Sequence, residues 1–393
     1  MNGAARRIYL DHNASAPLRP AAREAMLTSL DNFGNASSVH SEGREARAHL
    51  TAARNQLADL VSADPNAIIF TSGCTEANVT VLTPDYLLGS KELGLSKLLI
   101  GASEHPSVLS GGRFSQDTTE IVPVDENGMT NLSLLKERLD ELTKNDRRVL
   151  VSIMAANNET GVIQPSGEIA EIVKSAGGIF HVDGTQILGR CPATMATLGC
   201  DVMTVSAHKL GGPKGAGAII IAGGVLRMAP LVTGGGQETY RRSGTENIAA
   251  IAGFGAAAKE VSENVDEPSK ITAMRDWLEA ELRAISPDIV FFGSDVDRIG
   301  NTSCFAVPGV SAETAVIACD LEGVAVSSGS ACSSGKVSAS HVLGAMGVPA
   351  DLARGAIRVS LGWSNTQEDV ERFADIWRSV TKRFRPQATG EAA

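Results

Sequence analysis

Two segments of the chain place groups that could bind a charged cofactor at predicted strand ends. The run FTSGCTEAN (70–78) sets small residues between a strand and a helix, where backbone N–H groups and the helix dipole favour a phosphate. The same residues also suit an ordinary helix cap. Asp183 ends a buried strand, where a carboxylate needs a cation or hydrogen-bond donors. A protonated ring nitrogen is one such partner, and capping of the next helix is the simpler alternative.

Lys209 adds a nucleophile to these groups. It lies in SAHKLGGPKGAG, between a predicted strand and a glycine-rich turn that limits its access to solvent. A lysine held away from water loses its proton more readily and attacks carbonyl groups, although most lysines reach the surface, the role we assign to Lys214. Together the turn, the carboxylate and the amine meet the needs of pyridoxal 5′-phosphate (PLP): a phosphate cradle, a partner for the ring nitrogen and a covalent link.

Apolar runs predict the strands that position these groups, and they occur at 67–71, 97–102, 149–154, 178–183, 202–206 and 217–222. Helical spacing between several of them, as at 42–60 and 133–142, predicts an α/β fold with a mostly parallel sheet covered by helices. Ligands bind beyond the carboxyl ends of such strands. Polar groups follow five of the strands, so we expect one shared cleft.

The last third of the sequence has a different pattern. A helical run at 247–261 leads into a polar segment at 262–270, followed by predicted helices at 272–284 and 366–383. We therefore predict a large cofactor domain over residues 16–261. Residues 1–15 and 262–393 would form a smaller α/β domain.

Composition excludes several classes of protein. The chain has 393 residues, enough for two or three domains, and 45 acidic against 35 basic residues, which argues against a nucleic-acid partner. Its longest apolar stretch is far shorter than the roughly 20 residues that span a bilayer, so no membrane partner is expected. No apolar signal region follows the start, and we expect a cytoplasmic protein. The six cysteines contain no C-x-x-C pair, so no metal site is predicted.

Eleven runs, in the same order as in a known family, cover nearly the whole chain: 9–17, 34–40, 70–78, 104–109, 152–165, 181–190, 206–218, 234–247, 324–335, 340–347 and 357–362. On these runs the chain resembles the cysteine desulfurases, PLP enzymes of aminotransferase class V that supply sulfur for iron–sulfur clusters. The resemblance implies the type I aminotransferase-like PLP-dependent transferase fold. It also implies a homodimer, L-cysteine as substrate and a sulfur-acceptor protein, such as an iron–sulfur scaffold, as partner.

The resemblance also implies the role of each site residue. Lys209 forms the covalent link to the cofactor and later moves the substrate Cα proton, Asp183 keeps the ring nitrogen protonated, and His105 stacks on the ring and assists proton transfers. Arg358 and Asn158 hold the substrate carboxylate, Arg358 through a bidentate fork. Further cofactor contacts are implied at Cys74 (through its backbone), Thr75, Asn158, Gln186, Ser206, His208 and, from a second subunit, Thr245.

Cys332 is the cysteine for which we predict chemistry. It lies in VSSGSACSSGKVSASH, whose serines and glycines without apolar periodicity predict a mobile surface loop, whereas most cysteines are buried and inert. By resemblance, Cys332 attacks the sulfur of the substrate, keeps it as a persulfide and leaves alanine. The spacing to Ser340 matches the family branch with the longer cysteine loop. We expect the other five cysteines to serve packing.

The sequence leaves some alternatives open. A selenocysteine lyase or a class V aminotransferase would use similar machinery, and a non-catalytic assembly subunit is a third possibility. The chain also departs from the family pattern without losing a group of direct chemical role, at Ser15, Ala16, Cys74, Ala207, Gly211, Ala339 and Trp363. These departures leave the rate and the choice of acceptor undecided.

Overall fold

The computed structural model describes residues 6–144, 148–329 and 340–384. Its strands, in chain order, are β1 Ile8–Tyr9, β2 Ile68–Thr71, β3 Tyr86–Leu88, β4 Lys91–Glu92, β5 Lys97–Gly101, β6 Thr119–Val122, β7 Val149–Ser152, β8 Ile179–Asp183, β9 Val202–Ser206, β10 Gly217–Ile221, β11 Leu226–Met228, β12 Val290–Phe291, β13 Thr302–Ala306, β14 Val324–Ala325, β15 Ser327–Ser328 and β16 Ile357–Ser360.

The α-helices are α1 Pro20–Leu30, α2 Ser41–Val61, α3 Cys74–Val81, α4 Pro106–Leu109, α5 Leu132–Lys144, α6 Ser166–Ser175, α7 Met195–Leu198, α8 Ile248–Glu263, α9 Glu267–Ile285, α10 Ala312–Leu321, α11 His341–Ala345, α12 Ala350–Arg354 and α13 Gln367–Phe384. Short 3-10 helices occur at Pro65–Ala67, Gln116–Thr118, Ala207–Lys209 and Gln237–Tyr240.

A seven-stranded sheet in the order β2-β10-β9-β8-β7-β5-β6 forms the centre of the larger part of the molecule. Its pairs are parallel from β9 through to β6, and β10 runs antiparallel to both of its neighbours, β2 and β9. Residues of the four longest central strands are all buried, because helices cover both faces. The predicted α/β class with a mostly parallel sheet is confirmed.

The six predicted strands are all present, within two residues of their expected ends. The sequence pattern missed β6, whose partly exposed residues at the sheet edge lack a continuous apolar run. Helix α9 begins at Glu267, inside the segment predicted to be a polar connection. That prediction was wrong because charged residues and Pro268 occupy the solvent-facing first turn, where proline and acidic side chains are favourable.

A second apolar core lies around the four-stranded sheet β12-β13-β16-β15. It combines Ile8 and Leu10 from the start of the described chain with side chains of α9, α10 and α13, among them the buried Trp377. β1 pairs in parallel with β14, which joins the two ends of the chain. The domain boundary near Val261 stays a prediction. Of the described helices, none has the length and hydropathy needed to cross a membrane.

Candidate active site

The predicted cleft is a cavity of about 540 Å³ at the carboxyl ends of the central strands. β2, β5, β7, β8 and β9 all end at this edge, since β2 and β9 are each antiparallel to β10 and therefore parallel to each other. The predicted site residues that line the cavity are Cys74, Thr75, His105, Asn158, Asp183, Gln186, Ser206, His208, Lys209 and Arg358. Its volume suits a small organic cofactor together with a substrate.

Asp183 ends β8 with its carboxylate almost fully buried. Oδ1 accepts the backbone N–H of Thr185 at 2.9 Å, and Oδ2 accepts a proton of the Asn78 side-chain amide at 2.9 Å. The Cys74 thiol lies 3.7 Å from both carboxylate oxygens. These donors offset the cost of burial. The carboxylate therefore has the support that an ionised partner of a protonated ring nitrogen requires.

Lys209 lies in the 3-10 turn that follows β9, is half-buried and lines the cavity. Nζ donates to the backbone carbonyl of Ala14 at 2.9 Å and to that of Asn13. Both carbonyls belong to the run LDHNASAP, which crosses from the second core to the cavity. Lys214, the competing lysine, is exposed. The N-terminal segment thus positions the amine, a contact that sequence spacing alone could not indicate.

His105 caps the short helix α4, and its Nδ1 accepts the backbone N–H of Ser107 at 3.1 Å. Burial lowers the pKa of His105 below its usual value, and the charge of Lys209 lowers it further, whereas Asp183 acts in the opposite direction. His105 is therefore neutral near pH 7. A neutral imidazole can donate one proton and accept another, which suits a group that assists proton transfer.

Donors for an anion gather at the other end of the cavity. Helix α3 begins at Cys74, so its first N–H groups face the cavity with the positive end of the helix dipole. Ser206 ends β9 and His208 lies in the turn that follows, and both line the cavity. Burial, with the charges of Lys209 and Lys214, lowers the pKa of His208 to about 4. A phosphate held here would gain backbone and side-chain hydrogen bonds.

Arg358 lies on β16 with its guanidinium buried between the two cores. Nη2 donates to Asp11 Oδ1 at 2.7 Å and Nη1 donates to the backbone carbonyl of Asn158 at 3.0 Å. Nε is buried and has no hydrogen-bond partner among the described residues. Arg358 therefore keeps one donor without a partner, and its side chain lines the cavity.

The donors and acceptors of the cavity fit PLP. The amine of Lys209, the supported carboxylate of Asp183 and the anion-binding end of α3 surround one space. Gln186 also lines it, and its buried Oε1 has no hydrogen-bond partner among the described residues. Its Nε2 donates to the backbone carbonyl of Asn13 at 3.2 Å. An amide oxygen left unpaired in a polar cavity indicates that a ligand completes its hydrogen bonds.

Thr245 is not among the residues that line the cavity of its own chain. It lines a small adjacent pocket that shares Ser72 and Gly215 with the cavity. Cys332 lies outside the described residues. The residue after that gap, Ser340, donates a hydrogen bond to Glu159, and His341 Nε2 lies 2.9 Å from the backbone oxygen of Glu104. Glu159 and Glu104 are the chain neighbours of Asn158 and His105, so Ser340 and His341 lie beside residues of the cavity.

Two of the departures from the family pattern meet at one side chain, Arg19. A Cβ on Gly211 would lie 2.7 Å from Arg19 Cγ, so a larger residue at 211 has no room beside this arginine. The Arg19 guanidinium lies over the Trp363 ring at 5.5 Å and pairs with Glu260 and Glu267. Gly211 and Trp363 thus form one packing unit with Arg19.

Comparisons with known proteins show the family of the chain. The family model for aminotransferase class-V matches residues 8–373. The chain belongs to this family. Members of the class-V family are PLP-dependent enzymes, so the predicted family, enzyme class and cofactor are confirmed.

Individual relatives cover almost the full length of this class-V chain. It is 38% identical to the cysteine desulfurase IscS of Dictyoglomus turgidum over 97% of this chain and 96% of that protein. It is 40% identical to a cysteine desulfurase of Sinorhizobium fredii, covering 97% and 98%. The crystal structure of a NifS-like protein from Rickettsia africae matches with a TM-score of 0.85 at 33% identity, covering 96% of this chain and 100% of that one.

Sequence reasoning missed the groups that support the site residues. Asn78 and Ser107, both buried, lie within runs 70–78 and 104–109 but carry no motif of their own. A buried asparagine in the first turns of the helix that follows an anion-binding turn was the available signal. The carbonyls of Asn13 and Ala14 had no such signal, because any residue type offers a carbonyl.

Proposed function

We propose that this protein is a PLP-dependent cysteine desulfurase, which converts L-cysteine to L-alanine and takes the sulfur as a persulfide on Cys332. The observation that carries the proposal is the meeting of Lys209, Asp183 and His105 in one cavity with an anion-binding helix end. The near full-length relatives named cysteine desulfurase support it.

Different residues of the chain would bind different parts of the cofactor. Asp183 would accept the proton of the ring nitrogen, while Gln186 would donate a hydrogen bond from its side-chain amide to the ring oxygen. Ser206, His208, Thr75 and the backbone of Cys74 would bind the phosphate. When bound, PLP supplies an electron sink that stabilises negative charge at the substrate Cα.

Lys209 and His105 would move protons around the substrate. Lys209 Nζ, held by the carbonyls of Asn13 and Ala14, is the amine placed to take a proton from the substrate Cα. His105, neutral near pH 7, would assist these transfers from the side of the cavity that it lines. Arg358 and Asn158 would hold the substrate carboxylate.

The transfer of sulfur needs one nucleophile outside the cofactor. The thiolate of Cys332 would attack the substrate Sγ, so that an S–S bond forms while the Cβ–Sγ bond breaks. The electron pair of the broken bond passes to Cβ, which takes up a proton, and the organic product is L-alanine. Cys332 keeps the sulfur as a persulfide for an acceptor thiol. The positions of Ser340 and His341 beside the cavity support this assignment.

An anaerobic turnover assay with L-cysteine tests the function. The native protein should form alanine and sulfide in the presence of a thiol, and Cys332→Ala should lose nearly all of this activity. Cys191→Ala is the matched control, because Cys191 is partly exposed but does not line the cavity, and it should keep full activity. Equal alanine from the native protein and Cys332→Ala would refute the proposed role of Cys332.

The same variant separates the alternative enzymes. An aminotransferase would transfer the amino group to a keto acid and would lose little on Cys332→Ala. A selenocysteine lyase would keep activity on selenocysteine in that variant while losing activity on cysteine. Purified protein without visible cofactor absorbance would favour the non-catalytic subunit.

We also propose that the protein works as a homodimer in which Thr245 completes the phosphate site of the partner subunit. Its position outside the cavity of its own chain supports this. So do exposed apolar side chains on α1 and the loop after it, since Leu30 is 66% exposed, Phe33 90% and Val39 86%. Light scattering should give twice the chain mass, and Phe33→Asp should weaken the association.

The sulfur acceptor and the location are further proposals. We propose that the acceptor is a protein thiol, such as that of an iron–sulfur scaffold, and that the enzyme acts in the cytoplasm. Transfer of labelled sulfur from L-cysteine to a purified scaffold, compared with free thiol, tests the acceptor. Cell fractionation with an antibody to the chain tests the location.

A further inference from the structure

A continuous series of buried side-chain hydrogen bonds runs behind the cavity wall. Ser152 Oγ lies 2.8 Å from His181 Nδ1, and His181 Nε2 lies 3.0 Å from Thr204 Oγ1. Thr204 Oγ1 in turn lies 2.5 Å from Asn78 Oδ1. All four residues are fully buried. The series links three neighbouring strands, β7, β8 and β9, to helix α3.

Asp183 fixes the orientation of the Asn78 amide. An ionised carboxylate only accepts hydrogen bonds, so the amide must turn its NH₂ group toward Asp183 Oδ2 and its oxygen toward Thr204. Thr204 therefore donates to Asn78 and accepts from His181 Nε2–H, which leaves His181 Nδ1 to accept from Ser152. Burial lowers the pKa of His181, in agreement with a neutral ring.

The second proton of the Asn78 amide links this series of hydrogen bonds to His105. Asn78 Nδ2 donates to Ser107 Oγ at 2.9 Å, so the Ser107 hydroxyl is an acceptor there. The backbone N–H of Ser107 donates to His105 Nδ1 at 3.1 Å, so Nδ1 is an acceptor. The Ser107 hydroxyl, 2.8 Å from the same nitrogen, therefore donates its own proton there. Two donors thus meet at Nδ1, which must present its lone pair.

We propose that Asn78 and Ser107 are positioning residues that fix His105 as the neutral tautomer with its proton on Nε2. Asp183 reinforces this tautomer through the Asn78 amide, which donates to both Asp183 and Ser107 and so leaves the Ser107 hydroxyl proton for His105. Asn78 and Ser107 act through His105 and Asp183 and do not exchange protons with the substrate.

The consequence for the reaction rests on the proposed function. His105 presents Nε2–H to the cavity as a hydrogen-bond donor, and it keeps this tautomer because both donors at Nδ1 stay in place. Protonation of Nδ1 would require both hydrogen bonds to break. That cost opposes the doubly protonated form, in the same direction as burial and the charge of Lys209.

Nitrogen NMR of histidine-labelled full-length protein, loaded with PLP, tests the tautomer directly. A His105→Gln variant assigns the signal. We expect Nδ1 of His105 to show the shift of an unprotonated nitrogen and Nε2 that of a protonated one. A proton on Nδ1 near pH 7 would overturn the proposal.

Variants then test the two positioning residues. Ser107→Ala removes one of the two hydrogen bonds at Nδ1, so the protonation constant of His105 should rise about fivefold, the equivalent of one neutral hydrogen bond of about 1 kcal/mol. Ser107→Thr keeps the hydroxyl and should restore the native titration. Asn78→Ala should raise the constant at least as much, because the Ser107 hydroxyl can then turn away.

If Asn78→Ala does not fold, Ser107→Ala alone tests whether these residues fix the tautomer of His105. An unchanged titration of His105 in Ser107→Ala would overturn the proposal. Asp183, Lys209 and His341 are the charged or titratable groups that influence His105, and Ser107→Ala alters none of them. The NMR readout does not depend on turnover, so an enzyme inactive toward cysteine would refute the proposed function and leave this inference standing.

Discussion

Replacement of Arg358 by lysine should weaken the binding of L-cysteine while leaving the chemical steps largely intact. The guanidinium lies buried on β16, with Nη2 on Asp11 and Nη1 on the backbone carbonyl of Asn158. Its buried Nε has no partner among the described residues. We expect the substrate carboxylate to bind Nε together with a free proton of the neighbouring amino group.

The magnitude follows from this count of donors. A lysine ammonium is one point of charge, and its contact with Asp11 leaves no second nitrogen for a fork on the substrate. The variant therefore loses one hydrogen bond between charged groups, worth about 1.5–3 kcal/mol. At about 1.4 kcal/mol for each factor of ten, KM should rise roughly 10- to 150-fold. kcat should change much less, because the contact is made in the ground state and transition state alike.

Steady-state formation of alanine over a range of L-cysteine concentrations measures both constants. Asp11→Asn is the matched variant, because it removes the carboxylate that competes for the guanidinium but keeps Arg358 itself. Its KM should stay near the native value or fall. An unchanged KM in Arg358→Lys, or a loss confined to kcat, would show that Arg358 does not hold the substrate carboxylate.

Three further outcomes are expected. Burial and the charge of Asp183 raise the pKa of the Cys74 thiol well above its usual range. Iodoacetamide at neutral pH should therefore modify Cys74 only after denaturation. Rapid modification in the folded protein would contradict this raised pKa. Tyr240 has a left-handed backbone at φ 63° and is 73% exposed. Tyr240→Gly should therefore raise the free energy of unfolding by up to about 1 kcal/mol, whereas Tyr240→Ala keeps the backbone strain and should not. Equal denaturation midpoints for the two variants would exclude backbone strain at this position. Burial, with the charges of Arg190 and Arg19, lowers the pKa of His12 from 6.5 to about 3. Below about pH 6.5 the unfolded chain therefore binds a proton at His12 that the folded protein excludes. The free energy of unfolding of the native protein should then fall by about 1.4 kcal/mol per pH unit relative to that of His12→Asn. Parallel plots of unfolding free energy against pH for the two proteins would contradict a buried neutral ring.

The sequence was sufficient to predict the large sheet. Each of its central strands is an apolar run closed by polar residues, as at 178–183 before Gly184, and burial on both faces produces that pattern. β6 was not predicted because it lies at the sheet edge with partly exposed residues. The start of α9 was not predicted because its first turn is charged and contains a proline. Both errors arise where solvent contact removes the apolar signal.

The candidate site was predictable where residue type and strand position coincide. Asp183 and Lys209 follow strands whose ends converge, and the cavity brings them together with His105. The carbonyls that hold Lys209 and the Asn78–Ser107 link were not predictable, since they depend on how separate elements pack. The pairing of Arg358 with Asp11 is of the same kind, because it joins residues from opposite ends of the chain.

A single turnover followed by mass spectrometry of the cysteine peptides tests the central claim most directly. The protein is mixed anaerobically with L-cysteine without an added acceptor, and exposed persulfides are then trapped by alkylation. We predict one additional sulfur atom on the peptide that carries Cys332, equal in amount to the alanine formed, and none on peptides with the other five cysteines. Alanine formed without sulfur on Cys332, or with the sulfur on another cysteine, would contradict the account.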